Sequence, residues 1–118
     1  MKIHLFDKSS DYKTYSPEAV VFNAGDPANC MYAIVSGKVD IMVNGKVIDT
    51  LGESEIFGEM ALVEEGPRSA TAIARTETKL VPVDRDRFLF MVQQTPFFAI
   101  NMLALVTERL RRLMIEKL

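Results

Sequence analysis

A chain of 118 residues with 48% apolar and 25% charged residues has the size and make-up of one globular domain, which excludes a disordered tail. A net charge of −2 and a pI near 5.4 give no general attraction for nucleic acid or anionic lipid, so any phosphate binding must come from local placement. The lone cysteine rules out an internal disulfide, MKIHLFDKSS lacks a signal peptide's apolar stretch, and no apolar run approaches the roughly 20 residues of a membrane span, so a cytoplasmic chain is expected.

Ala19 to Phe22, Met31 to Ser36, Val39 to Val43 and Val47 to Leu51 are short, rich in β-branched residues and separated by Gly, Pro, Asn and Asp, which predicts consecutive strands. Asn44-Gly45 tolerates positive φ at both positions, so Lys38 to Val43 and Lys46 to Leu51 should pair as a hairpin. Val39, Ile41 and Val43 alternate with Lys38, Asp40 and Met42, placing one face inward.

Phe57 to Ala72, FGEMALVEEGPRSATA, sets a carboxylate and a guanidinium beside short backbone turns suited to an anion. Gly58 lets the backbone approach a ligand closely, and Glu59 to Val63 can form a short helical turn whose free N–H groups attract negative charge. Arg68 returns from the Gly66-Pro67 turn with a planar donor fork that matches a phosphate edge. Glu59, when ionised, only accepts hydrogen bonds, so its natural target is a hydroxyl pair such as a ribose presents. An ordinary loop salt bridge between Glu59 and Arg68 is the plainer reading of the pair taken alone, and Ser69 read alone is a turn residue.

Ala70 to Ala74 and Lys79 to Val83 predict two further strands, the last at an edge or ending close by because Pro82 removes a ladder donor. Strands at this spacing predict a sandwich or jelly roll. Asp84 is a cap candidate for a short helix through DRDRFLFMVQQ, and Thr95-Pro96 supplies an N-cap and a first-turn proline for a long terminal helix. In that helix Leu103, Val106, Leu110 and Leu113 form a stripe that is either a dimer seam or the cover of the barrel. Glu108 to Arg112 and Arg112 to Glu116 are spaced to pair along a solvated face, which is the better reading of the Arg109, Arg111 and Arg112 cluster than nucleic acid contact. A helix-turn-helix would need chain beyond Leu118.

His4 is the one histidine and is expected on the surface, so the several His and carboxylate ligands of a metal-dependent barrel enzyme are not supplied. Cys30 reads as a small buried hydrophobe, with no histidine in the domain body to activate it, and no catalytic constellation is found. Phe88, Phe90, Met91, Phe97, Phe98 and Met102 read as packing between helices and barrel.

FGEMAL followed by GPRSAT closely resembles the phosphate-binding cassette of cyclic nucleotide-binding domains, found in protein kinase A regulatory subunits, cyclic-nucleotide-gated channels and catabolite-activator-type bacterial regulators. SPEAVVFNAGDPANCMYAIVSGKVDI is similar to the family's early strands, with Gly25-Asp26 and Gly37 at its turn positions, and the two terminal helices are similar to its closing helices. The resemblance runs from about Tyr15 to Leu113 and departs at Asn23-Ala24, where many members carry a charged residue before the glycine.

The resemblance implies a mainly β fold, a double-stranded β-helix or jelly-roll barrel with a short cassette helix and two C-terminal α-helices. It implies one domain over 1–118, with the barrel at about 15–84 and the helices at about 85–118. The function it implies is that of a non-enzymatic regulatory domain whose ligand is cAMP, with cGMP as the second candidate, and which needs no cofactor and no metal. Its ligand-binding residues would be Gly58, Glu59, Met60, Ala61, Arg68, Ser69 and Ala70. Arg68 and Ser69 would hold the cyclic phosphate, Glu59 and the Gly58 backbone the ribose 2′-hydroxyl, and the N–H groups of Ala61 and Ala70 would complete an anion nest. Leu113 and Met114 are the candidate base lid, apolar and therefore unable to read a purine's hydrogen-bonding edge. Capture of the ligand would reposition the terminal helices, with a second copy of the chain or an effector protein as partner, and with no nucleic acid or membrane. The alternative is a scaffold domain of the same fold that no longer binds nucleotide, against which the intact Glu59 and Arg68 argue.

Overall fold

Short β-branched runs cut by turn residues become eight strands. The computed structural model describes residues 2–116, apart from the side chain of Glu116, and arranges these strands in two four-stranded antiparallel sheets. They are β1 (Lys13–Tyr15), β2 (Val20–Phe22), β3 (Cys30–Ser36), β4 (Val39–Val43), β5 (Lys46–Leu51), β6 (Ile56–Phe57), β7 (Thr71–Ala74) and β8 (Thr78–Asp84). One sheet runs β1-β8-β3-β6 and the other β2-β7-β4-β5. With helices α1 (Arg85–Gln94) and α2 (Phe97–Glu116) closing the chain, the expected mainly β, jelly-roll-type architecture is observed.

The period of two along each strand divides the interior into two layers. Ile34, Val39, Leu51, Phe57, Ala72 and Leu80 fill the space between the sheets. Their neighbours Met31, Ala33, Val81 and Val83 face the other way, where Phe98, Met102 and Leu105 of α2 and Ile3 and Phe6 of the N-terminal segment cover them. The β4–β5 hairpin turns at Asn44 and Gly45, with φ of 52° and 77°, and Val43 pairs with Lys46. Gly37, at φ 94°, packs so tightly on β8 that an added Cβ would lie 2.4 Å from the Glu77 carbonyl oxygen. Asp84 caps α1 by accepting from the Arg87 backbone N–H at 2.8 Å.

Several expectations change. β8 lies between β1 and β3 rather than at an edge, but it meets the other expectation for Pro82 by ending close by: β1 stops opposite Leu80, and β8 ends at Asp84, two residues after Pro82. Thr95 starts α2 with its carbonyl, which accepts from Phe98 N at 2.9 Å, and not with its hydroxyl. Phe90 and Phe97 are exposed, whereas Phe88, Met91, Phe98 and Met102 pack as anticipated. Leu103, Val106 and Leu110 of the anticipated stripe are exposed, Leu113 borders the barrel, and the covering row is Phe98, Met102 and Leu105.

That row continues in steps of four and three to Arg109 and Arg112. Both reach the barrel, where Arg109 pairs with Glu59 and Arg112 with Asp49. The anticipated Arg112–Glu116 pairing and the two ends of the 1–118 range fall outside the described residues. Among the described residues no helix is long and apolar enough to cross a membrane.

Candidate functional site

The loop after β2 holds the main chain of Arg68 from both sides. Gly25 N donates to the Arg68 carbonyl and Arg68 N to the Asp26 carbonyl, each at 2.8 Å, and Pro27 bridges Pro67. Asn23 N is in turn fixed on Asp26 Oδ2 at 2.9 Å, so the unusual Asn23-Ala24 pair leaves this loop closed.

With its backbone anchored at the rim, the Arg68 side chain turns inward and is 7% exposed. The guanidinium carbon lies 4.1 Å from the centroid of the Phe22 ring. Nη2 donates to the Cys30 carbonyl at 2.7 Å and Nη1 to the Gly58 carbonyl at 3.4 Å, while Nε has no partner. No carboxylate pairs with this cation among the described residues. Burying a permanent charge against carbonyl dipoles and a ring alone is costly, so the arrangement favours any anion that reaches the guanidinium. Gly58 sits at φ 76°, a conformation that favours glycine, and an added Cβ would lie 2.9 Å from Arg68 Nη1 and displace the guanidinium.

A 3-10 turn, Glu59–Leu62, follows directly. Glu59 and Arg109 are each about one-fifth exposed, and Arg109 Nη1 donates to Glu59 Oε1 at 2.8 Å while its Nη2 donates to the Ile56 carbonyl. Ala61 N donates to the Gly58 carbonyl at 3.2 Å inside this turn, whereas the N–H groups of Ser69 and Ala70 take no partner among the described residues. Tyr32 stacks on Phe57 with centroids 5.4 Å apart, and burial, followed by the neighbouring Cys30, pushes its phenol well above the ordinary range.

Phe22, Phe57, Arg68 and the cassette turn line a cavity of about 630 Å³, a size that suits a small organic ligand. Gly58, Glu59, Met60, Ala61, Arg68, Ser69, Ala70 and Leu113 all border it; Met114 does not. Arg109 and Arg112 of α2 and Asp49 of β5 border it too, and sequence reasoning missed all three. The available signal was helical phase, since Arg109 and Arg112 continue the row of Phe98, Met102 and Leu105. Among the described residues no group of three or more His, Cys, Asp and Glu side chains could hold a metal ion. His4 is exposed beside Asp7, and Cys30 is buried at the start of β3.

Residues 12–95 match the model of the cyclic nucleotide-binding domain family. The cyclic AMP receptor protein of Thermus thermophilus is 35% identical over 109 residues, which cover 88% of this chain and 50% of that protein. A cAMP-dependent protein kinase regulatory subunit of Schizosaccharomyces pombe is 39% identical over 75 residues, 63% of this chain and 18% of that one. Among solved structures, the Thermus thermophilus catabolite activator protein superposes with a TM-score of 0.79 at 34% identity, covering 91% of this chain and 54% of its own. The cAMP-bound form of an EAL enzyme superposes at 0.63 with 29% identity, over 87% of this chain and 29% of that one. The chain thus spans half the length, or less, of the curated relatives it matches.

Proposed function

This chain belongs to the cyclic nucleotide-binding domain family, and from that premise we propose that it is a non-catalytic, cytoplasmic receptor domain for a purine 3′,5′-cyclic nucleotide, cAMP first and cGMP second. The observation that carries the reading is the buried Arg68 guanidinium, which has no acidic partner among the described residues and borders a cavity of ligand size. A cyclic phosphate carries one negative charge and two exocyclic oxygens, which suit the arginine fork together with the N–H groups of Ser69 and Ala70.

On this reading the ribose lies at Glu59, where a 2′-hydroxyl donates to the carboxylate while Arg109 keeps the acid oriented. Leu113 borders the base end, and Met114 has no place in the cavity wall. Because Arg109 belongs to α2, a ligand that competes for or strengthens the Glu59 contact biases the docking of that helix, and this is the route from capture to output. The exposed apolar row Leu103, Val106 and Leu110 supports pairing with a second copy or an effector. The whole of 1–118 acts here as one domain.

One observation favours the scaffold alternative. Arg68 and Glu59 both have internal partners, so the fold closes around them without a ligand's help. Isothermal titration with cAMP and with cGMP decides between the two readings. Saturable heat, with a melting temperature that rises with ligand concentration, supports the receptor; no heat and no stabilisation at millimolar nucleotide leaves the scaffold.

A further inference from the structure

We infer that Phe22 is a positioning residue for Arg68: its ring holds the guanidinium inside the cavity and keeps it out of an ion pair with the carboxylates that follow the cassette turn. The inference rests on the cyclic-nucleotide reading above. Glu64 and Glu65 precede Arg68 by four and three positions, border the same cavity and are exposed, so both are at hand as partners. An arginine drawn to either would be neutralised before an anion arrived. Arg68 pairs with neither, nor with Glu59, which Arg109 engages at 2.8 Å.

What Arg68 meets is an aromatic face. Its guanidinium carbon lies 4.1 Å from the Phe22 centroid and 5.8 Å from that of Tyr32, at a side chain only 7% exposed. A ring quadrupole attracts a cation through its face, more strongly where water is excluded, and carries no formal charge of its own. The Cys30 and Gly58 carbonyls likewise offer dipoles alone. The cation is thus retained without being cancelled, and an incoming anion meets its full charge.

β2 is shaped to supply the ring. Val20 pairs with Ile73 and Phe22 with Ala72, so two steps along β2 match one step along β7, which is a bulge. Val21 and Phe22 therefore both pack on the layer between the sheets, while Val20 stays exposed. Phe57 and Tyr32 fix the ring in turn, with centroids 5.9 and 6.0 Å away. A leucine at this position would fill much of the space and offer no face. Arg68 would then occupy its binding orientation for a smaller fraction of the time, and apparent affinity falls by that fraction.

The test is calorimetric titration of the whole chain with cAMP, comparing the parent, Phe22→Leu, and chains in which the Phe22 ring carries one, two or three fluorine atoms. Fluorination drains the quadrupole and nearly preserves the shape, so a ring that acts only by filling space would give a flat series. Affinity should instead fall stepwise with each fluorine, and Phe22→Leu should lower it about fivefold to tenfold. Phe22→Leu should lose less when combined with Glu64→Gln and Glu65→Gln, because the competing acids are then gone. Thermal melts establish that each chain is folded. A series that is flat or rises, or equal losses from Phe22→Leu in the two backgrounds, would overturn the positioning role while a parent that binds cAMP keeps the receptor reading intact. A parent that binds neither cAMP nor cGMP would overturn both.

Discussion

Arg109 reaches from the middle of α2 to Glu59 in the first turn of the cassette and bonds it at 2.8 Å, with both side chains largely withdrawn from solvent. The terminal helix is therefore attached to the turn that lines the cavity, and not to the barrel alone. Removing one partner of such a pair leaves the other charge poorly compensated. Arg109→Leu is expected to weaken cyclic nucleotide binding roughly tenfold and to destabilise the chain by about 1 kcal/mol. Equal affinity in parent and variant would show that Glu59 needs no help from α2.

Arg68→Met separates binding from stability. The guanidinium is buried with carbonyl and aromatic partners and an unpartnered Nε, so its removal relieves a desolvation penalty as well as losing two hydrogen bonds. The melting temperature should change little or rise, while affinity falls by several kcal/mol, beyond the roughly 1.5–3 kcal/mol of a single charged hydrogen bond. A fall in melting temperature with affinity unchanged would make Arg68 a structural residue.

Gly58→Ala acts on the same cation from the other side. The new methyl would meet Arg68 Nη1 at 2.9 Å and would hold a left-handed conformation at φ 76°, a backbone strain of roughly 1–2 kcal/mol. Affinity should drop with only a modest loss of stability, because the end of a flexible side chain can yield where backbone cannot. Gly37→Ala is the contrast. Its Cβ would fall 2.4 Å from the Glu77 carbonyl and 2.7 Å from Thr78 Cα, so the expected cost is on the order of 3 kcal/mol, read as a lowered denaturant midpoint.

Tyr32 gives the stability curve an alkaline limb. Burial raises the folded ionisation of its phenol above the ordinary value of 10.0, with Cys30 reinforcing the shift. The unfolded chain thus releases this proton first. The stabilisation is complete below about pH 10 and is lost as pH climbs toward the folded value. Tyr32→Phe should flatten the fall in melting temperature above pH 10, and Tyr15, raised for the same reason of burial, should retain a smaller slope. Parallel curves for parent and variant would exclude Tyr32 as the source.

Features governed by neighbouring residues were legible in the sequence. Asn44-Gly45 forms the hairpin turn, Asp84 caps α1, and the cassette residues gather on one cavity, because each depends on local conformation or short spacing. What was hidden depends on three-dimensional partners. Leu103, Val106 and Leu110 and the buried Phe98, Met102 and Leu105 are both periodic apolar rows on one helix, and periodicity alone does not say which one meets the sheets. Arg112 has acidic residues at helical spacing, Glu108 and Glu116, which masked its longer reach to Asp49, and nothing near Arg109 in the sequence points to Glu59. Pro82 argued for an edge or a nearby strand end; β8 does end two residues on, and the shortness of β1 is what frees Pro82 on an inner strand.

The contact face of α2 changes character along its length, from Phe98, Met102 and Leu105 to Arg109 and Arg112. A roll of one residue step, about 100° about its own axis, would strip the ring and the two aliphatic chains from the sheet and pull both guanidinium groups from their acids together. Rotation is thereby blocked, and the helix retains two softer modes: tilting as a rod from Thr95-Pro96, and peeling from its far end, Arg112 first. A probe at Leu110 paired with one on β5 would report either as a change in separation with no change in helix content.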